Sequence, residues 1–290
     1  MAIENVSATI MSDAEFDLLR ALIYEQSGIN LQELKRELLK GRLAKRLRHY
    51  GFDSFAQYYD LLKNQDIDGT ELQEMINAVT THKTAFFREG HHFDFLREQL
   101  LLPACAAAAQ GLRSPIRIWS AGCSSGEEPY TIAITVAATL DRLSTWDVKI
   151  LGSDIDTAVL ETARKAVYTA ESVSDLQSSV VQRNFLEGKG RNAGLVQVKP
   201  ELRALVRFQQ LNLFADAWPF RGKFDAIFCR NTIIYFDRAV QRRVLERFAR
   251  YLKPGGLLFA GHSENLFWLG DIFRPVGGTV YVVGGAHGDA

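Results

Sequence analysis

At 290 residues the chain has room for one large domain or two unequal ones, each with an ample core. Hydrophobic residues make up 47% and charged residues 23%, and the formal net charge is zero, so affinity for nucleic acid or a membrane surface would need a local patch. Three widely spaced cysteines, Cys105, Cys123 and Cys229, form no Cys-x-x-Cys pair. That pattern argues for a reducing compartment and against disulfides or a cysteine-built metal site. The longest apolar run, residues 100–109, contains a proline and is too short to span a bilayer. Residues 1–13 carry no basic stretch followed by an apolar one, so no signal peptide is read there and the expected location is the cytoplasm.

Residues 12–80 read as helices. Ser12 and Glu15 form a capping box ahead of Phe16, Leu19, Leu22 and Ile23, and Gly28 ends that helix. Further helices are expected over 31–50, 54–64 and 70–79, giving an N-terminal helical subdomain over residues 1–80. The 31–50 helix carries Lys35, Arg36, Lys40, Arg42, Lys45, Arg46 and Arg48 against Glu33 and Glu37 only. Lys35, Arg42 and Arg46 share a face beside a Leu39, Leu43, Leu47 stripe. Two readings stay open: a solvated helix face, or a dock for an acidic partner formed by Lys35, Arg42, Lys45 and Arg46. No aromatic residues interleave these charges, which argues against nucleic acid.

Residues 81–89 read as a linker, with Thr84 and Arg88 four apart so that a short helix would present both from one side. Residues 90–290 read as an α/β domain. Its organising stretch is IRIWSAGCSSGEEPY at 116–130: a buried strand, a small-residue turn and a helix start. The glycines are spaced GxxxG rather than GxGxxG, and Glu127 and Glu128 occupy the helix N-terminus that a pyrophosphate would need. A cationic ligand bearing an adenosine, such as S-adenosylmethionine, suits that turn better. A second strand at 148–152 leads to Asp154, placed where such folds hold ribose hydroxyls, while Asp156 reads as the N-cap of a helix over 157–167. Residues 168–206 fit the sheet poorly; short strands among glycine turns, with 204–208 as one more, suggest a small antiparallel insertion. Asn212 is placed to contact an adenine edge. A strand at 224–231 runs on into Thr232, Ile233, Ile234 and Tyr235. Asp237 caps a long helix ended by Lys253-Pro254-Gly255-Gly256, a strand follows at 257–260, and a hairpin across Gly277-Gly278 closes the sheet.

In their order, the segments THKTAFFRE, RIWSAGCSSGEEPYTIAI, GSDIDTAVLETARK, QLNLF, FDAIFCRNTIIYF and LKPGGLLFAGHSENL make the chain similar to the chemotaxis receptor glutamate O-methyltransferases, the CheR family. The resemblance implies a Rossmann-like S-adenosylmethionine-dependent methyltransferase sheet with an N-terminal all-helical subdomain and a small antiparallel β insertion. It implies S-adenosylmethionine as cofactor, S-adenosylhomocysteine as product, and Thr84, Arg88, Glu128, Asp154, Asn212, Leu213, Arg230 and Asn231 as cofactor positions. His82, standing where the family often has asparagine, is carried with them. Implied partners are the cytoplasmic domains of chemotaxis receptors, whose C-terminal tail docks on the insertion in some members. A monomer is expected, with no membrane insertion.

The implied reaction esterifies a glutamate carboxylate, which is already ionised at neutral pH with a pKa of about 4.3, so no general base is needed. Arg88 is a candidate to orient a carboxylate and Tyr235 to line the transfer cavity; both are the candidate catalytic residues. Glu128 would hold cofactor hydroxyls or ammonium, with a capping box to Ser125 as the plainer alternative. Two rivals are weaker. Amine methylation would call for a proline-containing stretch where Arg230-Asn231-Thr232-Ile233 stands, and a non-catalytic S-adenosyl-ligand regulator would use the basic helix for partners alone.

Overall fold

Two layers of apolar side chains cover the two faces of one strand, and that division builds the sheet-containing part of the molecule. Ile116 and Ile118 enter one buried cluster while Trp119 and Ala121 enter another. The alternation means that both faces of the sheet are dry, as in parallel sheets flanked by helices. The computed structural model describes residues 10–284, so the leader reading over residues 1–13 lies mostly outside the described residues.

Four helices come first: α1 (Asp13–Ser27), α2 (Arg36–Tyr50), α3 (Phe55–Asp60) and α4 (Thr70–Val79). The Ser12–Glu15 box is present at the start of α1, and Gly28 at φ 72° ends it, a conformation that favours glycine. Helix α2 starts later than expected, at Arg36, because a 3-10 turn over Glu33–Lys35 precedes it. Phe16, Leu19, Ile23, Leu43, Phe55, Tyr58 and Met75 fill the core between these helices. Each large side chain fully buried in this way contributes roughly 1.5–3 kcal/mol.

The connection that follows is not helical at Thr84. Residues 80–85 have no regular structure and 86–90 form turns, so Thr84 and Arg88 are not related by helical spacing. Then come α5 (His91–Leu96), α6 (Leu102–Ala109), β1 (Ile116–Ala121), α7 (Glu127–Thr139), β2 (Val148–Asp154) and α8 (Thr157–Lys165). The insertion comprises β3 (Val167–Thr169), α9 (Ser178–Asn184), β4 (Phe185–Glu187) and β5 (Leu195–Val198), its strands paired antiparallel in the order β3-β5-β4. Helix α10 (Pro200–Arg203) leads back to β6 (Val206–Gln210). This strand pairs in parallel with β2 and so belongs to the main sheet, not to the insertion.

The chain closes with β7 (Phe224–Cys229), α11 (Arg238–Tyr251), β8 (Leu252–Ala260), β9 (Phe273–Gly277) and β10 (Val280–Val283). Lys253-Pro254-Gly255-Gly256 is the first half of β8 rather than a loop, and the β7–β8 register shifts beside it, between Phe224 and Ala226. The seven strands lie in the order β6-β2-β1-β7-β8-β10-β9, with β10 antiparallel to both neighbours. Among the described residues no helix is long and apolar enough to cross a membrane.

The helical layer sits on the C-terminal ends of the strands and is tied there by hydrogen bonds. Tyr24 Oη donates to Asp237 Oδ2 at 2.6 Å, the Asn30 N–H to the Tyr235 carbonyl at 2.8 Å, and Asn77 Nδ2 to Thr157 Oγ1 at 2.9 Å. The ligand end of the sheet therefore lies under the first helices.

Candidate active site

The turn after β1 is shaped by two glycines. Gly122 has φ 78° and Gly126 φ 98°, and a Cβ on Gly122 would overlap the Thr232 side chain of the turn after β7. Helix α7 then begins with Gly126 as its N-cap and no side-chain cap. The alternative Ser125–Glu128 box does not form, because Ser125 Oγ donates to Glu127 at 2.8 Å instead. Glu128 turns inward, accepting from Ser120 Oγ at 2.6 Å and from Arg230 Nη1 at 3.1 Å. Burial pushes the Glu128 carboxyl above the usual carboxylate range, against the pull of Arg230. Arg230 also pairs with Glu89 at 3.1 Å and donates to the Arg88 carbonyl, so its guanidinium is enclosed by protein partners.

Asp154 ends β2. Its Oδ2 accepts the Ser124 N–H at 2.8 Å and its Oδ1 the Asp156 N–H at 3.0 Å, which locks the carboxylate against the β1 turn. Burial raises this carboxyl too, opposed by the same two N–H groups. Asp156 caps α8 through the N–H groups of Ala158 and Val159, at 2.8 and 3.2 Å. Its other oxygen meets Thr80 Oγ1 at 2.9 Å and His82 Nε2 at 2.8 Å, which seats the linker on the sheet.

These elements enclose a cavity of about 330 Å³, within the size range of small-molecule sites, roughly 300–1,000 Å³. His82, Thr84, Arg88, Glu128, Asp154, Asn212, Leu213, Arg230, Asn231 and Tyr235 all line it, although they come from five separate stretches of chain. Lys35 reaches its wall; Arg42, Lys45 and Arg46 do not. The Asn212 amide is already engaged, donating to the Gln26 carbonyl at 2.7 Å and accepting the Phe214 N–H at 2.9 Å, so the expected adenine contact from that side chain would have to displace these bonds. Arg88 Nη1 donates to the Lys83 carbonyl at 2.7 Å, and among the described residues Arg88 makes no ion pair. The chemistry of the wall suits S-adenosylmethionine: buried carboxylates meet a ligand rich in hydroxyls and positive charge, and the acids at the α7 N-terminus disfavour a phosphate.

Arg42 and Arg46 spend their charge inside the helical layer. Arg42 donates to the Val79 and Thr80 carbonyls and to Thr81 Oγ1, and Arg46 pairs with buried Glu71, its Nε 2.8 Å from Oε1. Lys45 is exposed, and neither it nor Lys35 has an ion-pair partner among the described residues. The sequence reading missed three contributors. The loop after α1 lines the cavity through Ser27, Ile29 and Asn30, Glu89 balances Arg230, and Glu264 binds the turn after β7. The local signals were Gly28, which places a loop there, and the acids in the quoted THKTAFFRE and SENL segments.

A mostly parallel seven-stranded sheet with an antiparallel end, bearing an acid-lined cavity over its strand ends, defines an S-adenosylmethionine-dependent methyltransferase. A model described as "CheR methyltransferase, all-alpha domain" matches residues 14–80, and one described as "CheR methyltransferase, SAM binding domain" matches residues 82–282. The chain belongs to the CheR methyltransferase family. It is 46% identical to the chemotaxis protein methyltransferase of Klebsiella aerogenes over 93% of this chain and 90% of that one. The Escherichia coli protein of the same description is 46% identical over 94% and 92% of the two chains. Chemotaxis protein methyltransferase 2 of Pseudomonas aeruginosa is 46% identical over 92% of each.

Proposed function

We propose that the protein transfers the methyl group of S-adenosylmethionine to glutamate side-chain carboxylates of chemotaxis receptors, forming methyl esters. The observation that carries this reading is the division of charge in the cavity. Both pocket carboxylates, Glu128 and Asp154, are engaged by protein donors, whereas Arg88 and Lys35 carry charge with no ion pair among the described residues. A protonated amine would have to be held and deprotonated by an acid or carbonyl, and the cations at this wall would repel it. A glutamate needs neither, since with a pKa of about 4.3 it arrives ionised.

The bound cofactor supplies a methyl group activated by the sulfonium. In this reading Asp154 and Glu128 hold its hydroxyls and ammonium, with His82, Thr84, Asn212, Leu213, Arg230 and Asn231 completing its surroundings. Arg88 orients a carboxylate through the guanidinium N–H groups that Lys83 leaves free, without a bidentate grip on both attacking oxygens. Tyr235 lines the transfer cavity beside it. Alignment and exclusion of water are worth roughly 7–11 kcal/mol in such reactions. Lys35 and Lys45 meet the acidic receptor surface. The open edges of β3 and β4 offer a place for a receptor tail to add a strand, and the enzyme acts as a monomer in the same compartment as the receptors' cytoplasmic domains.

Transfer of labelled methyl from S-adenosylmethionine to receptor cytoplasmic fragments, followed by mild alkali, tests this. Label released as volatile methanol is the expected result. Alkali-stable label would mean nitrogen methylation, and no transfer to any receptor fragment would overturn the acceptor class.

A further inference from the structure

The turn after β7 carries both Asn231 and Tyr235, and its shape needs a cause. Asn231 has φ 56°, a left-handed conformation that asparagine tolerates better than most side chains, and here hydrogen bonds from the surroundings impose it. The imposing group is Glu264, in the segment after β8. Its side chain is buried, with the residue 4% exposed, and three backbone N–H groups converge on it. Oε2 accepts from Asn231 at 2.7 Å and from Gly261 at 2.7 Å, and Oε1 accepts from Thr232 at 2.9 Å. The Glu264 N–H donates back to the Gly261 carbonyl at 2.8 Å, closing the turn that carries the carboxylate.

An ionised carboxylate is an acceptor-only group, and no neutral side chain of the same length can take three N–H donors with both atoms. Gly261 completes the arrangement. A Cβ there would stand 2.6 Å from Asn231 Nδ2 and 2.8 Å from Glu264 Oε2, so only glycine lets the ends of β7 and β8 approach this closely.

We infer that Glu264 is a positioning residue for the methyl-transfer site, fixing through Asn231 and Thr232 the turn that forms one wall of the cavity. The consequences spread in two directions from that turn. Thr232 packs on Gly122 in the β1 turn, and Tyr235 N–H reaches back to the Thr232 carbonyl at 3.3 Å while its own carbonyl takes the Asn30 N–H at 2.8 Å. One carboxylate, itself outside the cavity lining, therefore sets the backbone between the cofactor turn and the helical layer. The inference rests on the reading of Asn231 as a cofactor position.

The test is a double-mutant cycle in S-adenosylhomocysteine affinity, measured by calorimetry on the full chain at a temperature where every variant is folded. Glu264→Gln removes the charge and sets an NH2 group against an N–H. Alone it is expected to weaken binding about tenfold, and less than about threefold in an Asn231→Gly background, because the Asn231 side chain that it positions is gone while the backbone N–H groups it holds remain. Equal loss in both backgrounds overturns the inference, as does a lower melting temperature with unchanged affinity. If Asn231→Gly alone leaves affinity unchanged, the site reading falls first and the inference with it. Should Glu264→Gln fail to fold, Gly261→Ala, which keeps the carboxylate but crowds Asn231, is read in the same cycle with the same outcomes.

Discussion

Charge reversal along α2 separates two roles that look alike in the sequence. Arg46 is one partner of a network centred on Glu71, which is 4% exposed. Glu71 takes Arg46 through both carboxylate oxygens, Tyr58 Oη at 2.6 Å and Tyr50 Oη at 2.9 Å. Burial alone would raise its carboxyl; the hydrogen bonds from Arg46, Tyr58 and Tyr50 outweigh burial and hold it below the usual range. Arg46→Glu leaves that carboxylate buried, unpaired and beside a like charge. Breaking a buried pair in this way costs about 3–5 kcal/mol, which at about 2–4 °C per kcal/mol is a fall in melting temperature of roughly 6–20 °C. Lys45→Glu touches no internal partner, so the melting temperature should hold within about 2 °C, the usual scale of a surface change. Scanning fluorimetry, run beside labelled-methyl transfer to a receptor fragment, distinguishes the two. Lys45→Glu should lose transfer with cofactor affinity intact. If Arg46→Glu keeps its melting temperature and loses only transfer, the Glu71 network is not what holds α2, and Arg46 is a docking residue after all.

Three further outcomes follow from the site. Asp154→Ala should weaken S-adenosylhomocysteine binding at least about tenfold by calorimetry, since it removes a carboxylate that lines the cavity and holds the β1 turn; undiminished binding would put the cofactor elsewhere. Gly122→Ala combines φ 78° with overlap on Thr232, so it should cost about 1–3 kcal/mol in urea unfolding and also lower cofactor affinity; a neutral result would show that the turn yields. Burial and Arg230 push the His92 imidazole down to about 4. The unfolded chain then binds this proton first, and the stability it brings is full above about pH 6.5 and drains away toward pH 4. Between pH 7 and pH 5 the loss is about 2 kcal/mol. Urea unfolding of His92→Gln should show a smaller pH dependence by that amount, and an identical dependence would refute the assignment.

What the sequence made legible was whatever a short stretch decides for itself. The alternation of Ile118 and Trp119 between two clusters, the caps at Ser12, Asp156 and Asp237, and the stop at Gly28 each depend on neighbours within a few residues. The loop acids could be placed at strand ends for the same reason, and Asp154 and Glu128 do meet in one cavity. Partners far along the chain were not legible. Nothing near Arg46 announces Glu71, and nothing near Val206 says that its strand will run beside β2 rather than within the insertion. The linker misled for a related reason: helical spacing of Thr84 and Arg88 is a local pattern, but the segment is shaped by Asp156 and Ser124, which hold Thr80 and the His82 carbonyl.

The same long-range bonds explain why the helical layer is part of the site and not an appendage. A sheet of this kind offers its ligand an open rim at the strand ends, and water there would screen every charge the chemistry uses. Here the loop after α1 covers that rim. Asn30 holds the Tyr235 carbonyl, Gln26 holds the Asn212 amide, and Tyr24 holds Asp237 at the start of α11. Each bond joins a residue of the first helix or its loop to a turn that lines the cavity or begins the next element. The apolar Ile29 and Leu31 close the wall between them. Lys35, from the helical layer, and Asp154, from the end of β2, therefore face the same cavity.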